Sequence, residues 1–354
     1  MNHPMSSIED DWPTADLEAV TQCPFCGTSE RTHLHTGLMD KLFLTAQGKW
    51  DQYQCLLCKT AYLDPRPTPE SIGRAYSTYY THDTAASAPA QPGFRNWLHT
   101  ERNSWRHRHW HMALQLQSRW RGWWIPLAWP LRSLLANQMR HLPQRPPRPG
   151  AHLLDVGCGS GEFLHLARAA GWTVQGVDFD PVAVEVARRL NLDVRHGGLE
   201  SASPPSQGYD CITCSHVVEH VHQPVQWLRG MYALLRPGGT LWIQTPNIES
   251  WGHREFGVDW RGLEPPRHLA IPTAAGLCAC LETIGFTVRS ENLTPILALS
   301  VYAASGALRA GGNATARQSW KQLLRPRYVL AALRQTWQPT HAEFITLVAT
   351  KASA

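Results

Sequence analysis

The chain has 354 residues, 43% hydrophobic and 17% charged, with 26 Gly and 26 Pro. That length predicts two to three domains with a sizeable core, and the composition suits a globular α/β protein while excluding disordered, fibrous and collagen-like classes. The formal net charge of +5 is too mild over such a length to imply nucleic acid by itself.

The opening MNHPMSSIEDDWP has no basic region followed by an apolar run, so a secretory signal is not expected and a cytoplasmic location is. Residues 1–20 read as a disordered, solvated acidic lead-in. A zinc-ribbon-like module follows at 21–83, carried by Cys23-Pro-Phe-Cys26 and Cys55-Leu-Leu-Cys58 with 28 residues between the pairs. Four thiolates in two tight pairs suit a tetrahedral, structural Zn²⁺ in a reducing compartment. The long gap predicts a hairpin with Phe43 and Trp50 available to pack. The stretch PRPTPESIGRAYSTYY (65–80) reads as a turn and a short helix, and 84–93 as a linker. The other cysteines, Cys158, Cys211, Cys214, Cys278 and Cys280, read as packing residues.

From 94 to 148 the composition changes. Ten Arg and one Glu fall between Arg95 and Arg148, together with seven of the 16 Trp. This basic, Trp-rich segment is expected to be helical and to serve as a cap on the core, a peripheral membrane contact or, least favoured, a nucleic-acid surface. The proline-rich PQRPPRPG closes it near residue 150.

Beyond that hinge, strands and helices alternate as in a doubly wound parallel sheet. HLLDV (152–156), TVQGVD (173–178), DVRHG (193–197), YDCITCS (209–215) and TLWIQTPN (240–247) read as strands. FTVRSENL (286–293) and AEFITLVATK (342–351) read as a closing antiparallel pair, with a helical insert at 295–338 before the last strand. The first intervening helix places Phe163, Leu166, Ala167 and Ala170 on one face, and the second Ala183, Val186, Ala187 and Leu190.

The segment LLDVGCGSGEF sets Asp155 at a strand end, then Gly157, Gly159 and Gly161, then a helix. A dinucleotide turn would have a third glycine where Phe163 stands, and an acid just before the first glycine repels phosphate. A ligand with positive charge and no pyrophosphate is expected. Asp178, at the tip of the second strand, is placed to accept hydrogen bonds from ribose hydroxyls. Together these features suit S-adenosylmethionine.

With DVGCGSG, GVDFDP, SHVVEHV, LLRPGG and TPN, the chain resembles the class I S-adenosylmethionine-dependent methyltransferases across about 150–293 plus the final strand. The resemblance implies a seven-stranded Rossmann-like sheet within a 149–354 domain, and cofactor contacts from Asp155, Gly157, Gly159 and Asp178, with Gly161 completing the turn. VVEHV, LLRPGG and TPN look most like ubiquinone-type O-methyltransferases and a group found with bacterial polysaccharide and lipid genes, and RGLEPPRHL with the cysteine module favours the latter. Gly198 stands where relatives often carry an acid near adenine, leaving Glu200 as the acidic candidate.

Methyl transfer to a hydroxyl needs alignment and a base. His216 and His220 in SHVVEHV, and His268 in WRGLEPPRH, are the candidates. In ubiquinone-type relatives the positions of His216, Glu219 and His220 are implied to hold a divalent metal, with Glu at the first. A turn-shaping role is the third reading. Asn247, Glu264 and Arg267 are the expected acceptor ligands. The expected function is O-methylation of a glycan, a lipid-linked sugar or a similar small acceptor; the alternatives are RNA methylation, since one ribosomal-RNA family also joins a zinc module to this fold, and a non-catalytic cofactor-binding scaffold.

Overall fold

Burial patterns in the N-terminal third follow from short alternating strands closed by cysteine turns. In a computed structural model of the protein, the described residues are 11–76, 97, 100–105, 123–124, 142, 146–291, 296–312, 314, 323 and 325–353. The linker at 84–93 and most of the basic Trp-rich segment lie outside them. The first strands are β1 (Leu17–Glu18), β2 (Arg31–Leu38), β3 (Trp50–Cys55), β4 (Ala61–Leu63) and β5 (Arg66–Pro67). β2 and β3 form the hairpin expected between the cysteine pairs. A short 3-10 helix, Ile72–Tyr76, follows.

The alternating region gives β6 (His152–Val156), α1 (Glu162–Ala169), β7 (Thr173–Asp178), α2 (Pro181–Arg189), β8 (Val194–His196), β9 (Tyr209–Ser215), α3 (Pro224–Leu234) and β10 (Leu235–Pro246). The remainder is α4 (Trp251–Phe256), β11 (Ala270–Ile271), α5 (Ala274–Ile284), β12 (Phe286–Ser290), α6 (Ile296–Arg309), α7 (Pro326–Trp337) and β13 (Phe344–Lys351). A seven-stranded sheet has the order β12-β13-β10-β9-β6-β7-β8. Its β9-β6-β7-β8 portion is parallel, with each crossover helix burying its apolar stripe. This is the doubly wound α/β class expected from sequence. No helix among the described residues is long and apolar enough to cross a membrane.

The chain packs as two compact units. One takes its described residues from 1–79, 216–229 and 244–347, the other from 80–215, 230–243 and 348–354. In the second, Leu153, Leu164, Ala167, Val184, Ala187 and Val194 share one core with Phe163. Val184 is buried there and Leu190 is half exposed, because α2 has ended by Leu190, which is its C-cap.

In the first unit, Trp12, Trp50, Trp260, Tyr302 and Tyr328 anchor a common core. Trp12 meets Trp50 edge-on at 5.6 Å, a favourable aromatic geometry, and β1 pairs with β5, so the described part of the lead-in expected to be disordered, 11–20, is instead packed on this unit. A four-stranded sheet, β11-β4-β3-β2, joins the N-terminal hairpin to residues just after His268. Of the five cysteines expected to pack, Cys278 is the exception: it is half-buried with its thiol on the Glu282 carboxylate.

Candidate active site

The glycine turn lies wholly in the second unit. The backbone N–H groups of Gly157 and Cys158 donate to the Val177 carbonyl at 2.9 and 3.2 Å. Gly159 N–H donates to Asp178 Oδ2 at 2.7 Å, and Asp180 N–H to Asp178 Oδ1 at 2.8 Å. The two sequence motifs are thereby one structure, with Asp178 oriented by the turn itself. Gly161 is obligatory: its φ is +80°, and a Cβ there would stand 2.4 Å from Leu192 Cδ1. Phe163, the residue that breaks the dinucleotide pattern, stands in the first turn of α1 and is buried in the core.

Asp155 is buried and accepts from the Thr213 hydroxyl at 2.7 Å. The electrostatic character of the turn shows at Cys158, whose thiol is pushed well above its usual range by burial and then by the charges of Asp155 and Asp178. A locally negative field with two oriented carboxylates fits a ligand bearing an ammonium, a sulfonium and a ribose. The donor set fits S-adenosylmethionine. Phe179, missed in the sequence although it directly follows the ribose acid, is 73% exposed and offers an open ring face. At Gly198 a Cβ would come within 2.7 Å of Glu200 Oε2 and 3.0 Å of Phe179 Cζ, which accounts for the absent acid. Glu200 turns its carboxylate onto Gly198 N–H at 2.7 Å.

The three candidate bases lie in the first unit. His216 has a φ of +57°, unusual for a non-glycine residue, and its N–H donates to the Gln244 carbonyl at 2.8 Å. The turn after it is one 3-10 turn, Val218–His220, so the even helical face expected for His216, Glu219 and His220 does not form. His216 Nδ1 lies 3.3 Å from Glu219 Oε1, with its ring edge-on to Phe344 at 4.9 Å. Glu219 is fully buried and accepts from Thr245 Oγ1 at 2.9 Å. Burial opposes its ionisation, but the imidazoles of His216, His220 and His268 outweigh that and hold it at about 2.

His220 Nδ1 lies 2.9 Å from the Arg267 carbonyl and 3.0 Å from the Tyr76 hydroxyl. His268 Nδ1 lies 2.7 Å from the Gly262 carbonyl. A carbonyl can only accept, so both rings carry their proton on Nδ1 and leave Nε2 as the basic nitrogen. Nε2 of His268 is 4.0 Å from Glu219 Oε1 and 3.8 Å from Glu264 Oε2. Burial lowers His268 to about 4, which keeps it neutral and makes it a weak base. Ligand atoms of Glu219, His220 and His268 all lie within 4.8 Å of one another. His268 thus replaces His216 in the gathered donor set.

The expected acceptor ligands are placed differently from one another. Glu264 is buried beside His268 and pairs with Arg261; burial pushes its pKa up, but the Arg261 charge is the largest influence bringing it below the usual carboxylate value. Arg267 is fully buried and is not presented to an acceptor: its Nη2 donates to Asp40 Oδ1 at 2.6 Å and its Nη1 to the Ala75 carbonyl at 3.0 Å. Asn247 is also committed internally, donating to the Thr340 and Ala342 carbonyls at 2.9 Å each and accepting from Glu249 N–H at 3.1 Å. Both residues position backbone. Asp40 and Tyr76 were invisible in the sequence because their partners are far along the chain and no local pattern marks them.

The four N-terminal cysteines converge. Cys23 and Cys58 sulfurs are 3.5 Å apart, as are those of Cys26 and Cys55, and all four lie within 4.8 Å. Tetrahedral Zn²⁺ with ~2.3 Å bonds needs sulfurs about 3.8 Å apart, so the cluster fits that ion. The two knuckles close alike: Cys23 N–H donates to Thr28 O at 2.8 Å and Cys55 N–H to Thr60 O at 2.9 Å. Gly27 and Lys59, each following the second cysteine of its pair, take φ of +76° and +59°.

Comparison with known proteins agrees with this geometry. Residues 131–291 match the family described as Methyltransferase domain. The matched stretch holds six of the seven strands of the large sheet, which has the Rossmann-like methyltransferase fold. It is 32% identical over 133 residues to a ubiquinone biosynthesis O-methyltransferase of Coxiella burnetii, covering 35% of this chain and 57% of that protein. A protein of the same description from Xanthomonas campestris pv. campestris is 34% identical over 125 residues, covering 33% and 52%. The chain thus spans little more than half the length of the curated relatives it matches. Among solved structures, a mycolic acid cyclopropane synthase complexed with SAH and CTAB matches at 21% identity and a TM-score of 0.45, covering 62% of this chain and 85% of that one. An S-adenosylmethionine dependent methyltransferase from Mesorhizobium loti matches at 17% and 0.42, covering 62% and 98%.

Proposed function

We propose that the protein transfers a methyl group from S-adenosylmethionine to a hydroxyl oxygen of a glycan, a lipid-linked sugar or a similar small acceptor. The observation that carries the reading is the His216–Glu219 pair, an imidazole beside a buried, ionised carboxylate. It follows directly on β9, the strand that seats Thr213 on Asp155. Bound S-adenosylmethionine supplies an electrophilic methyl on a sulfonium, and the protein must hold it, align an acceptor and take one proton. Asp178 accepts from the ribose hydroxyls, Phe179 lends its ring face to the adenine, and Asp155 attracts the cationic end. With Nδ1 toward Glu219, His216 presents Nε2 to the acceptor hydroxyl and takes its proton as the oxygen attacks. Glu219 then stabilises the imidazolium.

A second reading, favoured by the convergence of Glu219, His220 and His268, gives the deprotonating role to a divalent metal. Two imidazoles fixed by carbonyls and one carboxylate form a donor set for such an ion. The metal would supply Lewis-acid polarisation of the acceptor oxygen. In both readings the cysteine cluster is a structural zinc site, and its paired thiolates support a reducing, cytoplasmic setting.

The test uses methyl-labelled S-adenosylmethionine with glycan and lipid extracts as acceptor pools. His216→Ala should lower transfer by about 10²-fold or more at unchanged affinity for S-adenosylhomocysteine. Label carried by RNA would overturn the acceptor class. Unchanged transfer in His216→Ala, with loss on chelation and in His268→Ala, would replace the base reading by the metal one.

A further inference from the structure

Helix α7 is largely apolar on its inner side and apolar again on its outer side. Tyr328, Ala331, Ala332 and Gln335 are buried, facing the core shared with α6. At the opposite azimuth, Leu330, Leu333 and Trp337 are 66%, 45% and 87% exposed. Spacings of three and four residues put these three side chains on one stripe. A second apolar stripe opposite the buried one has no role in holding the helix to its own unit. Exposed Arg327 and Arg334 flank it on one side, and Arg325 stands at its N-terminus.

The surrounding sequence has the same sign. Between residues 292 and 342 there are six Arg or Lys and no Asp or Glu. An apolar stripe ending in Trp and edged by arginine is the pattern of a helix that lies in the plane of a lipid interface, with Trp at headgroup depth and arginine on the phosphates. A second copy of the chain would bring cationic edges together, which opposes pairing through this face. The helix is far too short to span a bilayer.

We propose that the outer face of α7 is a docking surface for an anionic lipid bilayer, with Leu330, Leu333 and Trp337 inserted and Arg325, Arg327 and Arg334 at the headgroups. The surface is independent of the Trp-rich segment at 94–148 and of the methyl-transfer reading.

The 354-residue chain is sedimented with vesicles of phosphatidylcholine alone and of phosphatidylcholine mixed with phosphatidylglycerol. Binding is expected to the mixed vesicles only and to weaken as salt rises. The variant Leu330→Ser/Leu333→Ser/Trp337→Ser should lower partitioning by about tenfold or more, with circular dichroism and thermal midpoint unchanged because all three side chains are exposed. A second variant, Arg325→Gln/Arg327→Gln, should lower it by roughly fivefold per arginine removed. Equal binding of wild type and the triple variant would overturn the proposal and move attachment elsewhere in the chain. Equal binding to both vesicle types would overturn it too, as would a wild-type dimer in light scattering that the triple variant dissociates.

Discussion

Asp40→Ala should destabilise the protein far more than Arg267→Met, although each removes the same ion pair. Both side chains are fully buried at 2.6 Å separation. Asp40 also accepts from the backbone N–H of Phe43, Thr45 and Ala46 at 3.0–3.1 Å. Its pKa is shifted down: burial opposes this, but Arg267 and the backbone N–H groups prevail. Removing one member of a buried pair costs about 3–5 kcal/mol. In Arg267→Met the aspartate keeps its backbone donors, so the low end of that range applies. In Asp40→Ala a guanidinium loses its carboxylate and three N–H groups lose their acceptor, each worth about 1–3 kcal/mol when buried. The gap between the variants should therefore be at least about 2 kcal/mol. Urea unfolding by circular dichroism measures it. Because the folded pKa lies below the unfolded value, the aspartate's contribution is complete above that unfolded pKa and is lost as pH falls through the folded one. The difference between wild type and Asp40→Ala should accordingly shrink in strong acid. Equal costs for the two variants, or a gap indifferent to acid, would refute the argument.

Three further outcomes are expected. Asp178→Ala should weaken S-adenosylmethionine binding in calorimetry by about tenfold or more, since it removes a charged acceptor and the anchor of Gly159 N–H, whereas binding of NAD would contradict the turn's chemistry. Elemental analysis should find about one Zn per chain, and Cys23→Ser/Cys55→Ser should lose metal and β2–β3 structure together; a folded wild type without metal would exclude a structural ion. Glu343 is buried among Trp260 Nε1, Gly252 N–H and Ser250, and burial raises it from 4.5 to about 7. The unfolded chain releases that proton first, so stability should fall by about 3 kcal/mol as pH rises from the lower value to the upper and then level, and Glu343→Gln should flatten the slope.

The parts of the protein readable from sequence are those whose partners are near in the chain or fixed by backbone rules. β6, β7 and β9 have the expected bounds because each is an apolar run closed by an acid, a glycine or a serine turn. Asp178 was legible since a strand tip after a glycine turn admits few roles. β10 begins at Leu235 rather than 240: α3 ends at Leu234, and because Pro237 disfavours helical backbone at Arg236 the chain passes directly from helix into strand. His216, Glu219 and His220 were recognised as a group, but their arrangement was not, because it depends on a left-handed backbone at His216 that no propensity predicts. Arg267 was misread as a ligand for an equally physical reason: its carboxylate partner is Asp40, in another part of the chain with no local pattern of its own. The outer stripe of α7 shows the converse. Periodicity alone reveals apolar residues on both sides of that helix, and the structure decides which side is covered.

The pairing of β4 with β11 sets an order of events during synthesis. β4 leaves the ribosome ~200 residues before its antiparallel partner, an interval of about 10–40 s at ordinary translation rates. Throughout it, the young hairpin carries an open edge of the kind that recruits other strands. All four cysteines lie ahead of that edge and emerge first. Capture of an ion by the nascent chain would therefore fix the hairpin before its last strand exists, making metal supply a matter of timing in biogenesis as well as of final stability.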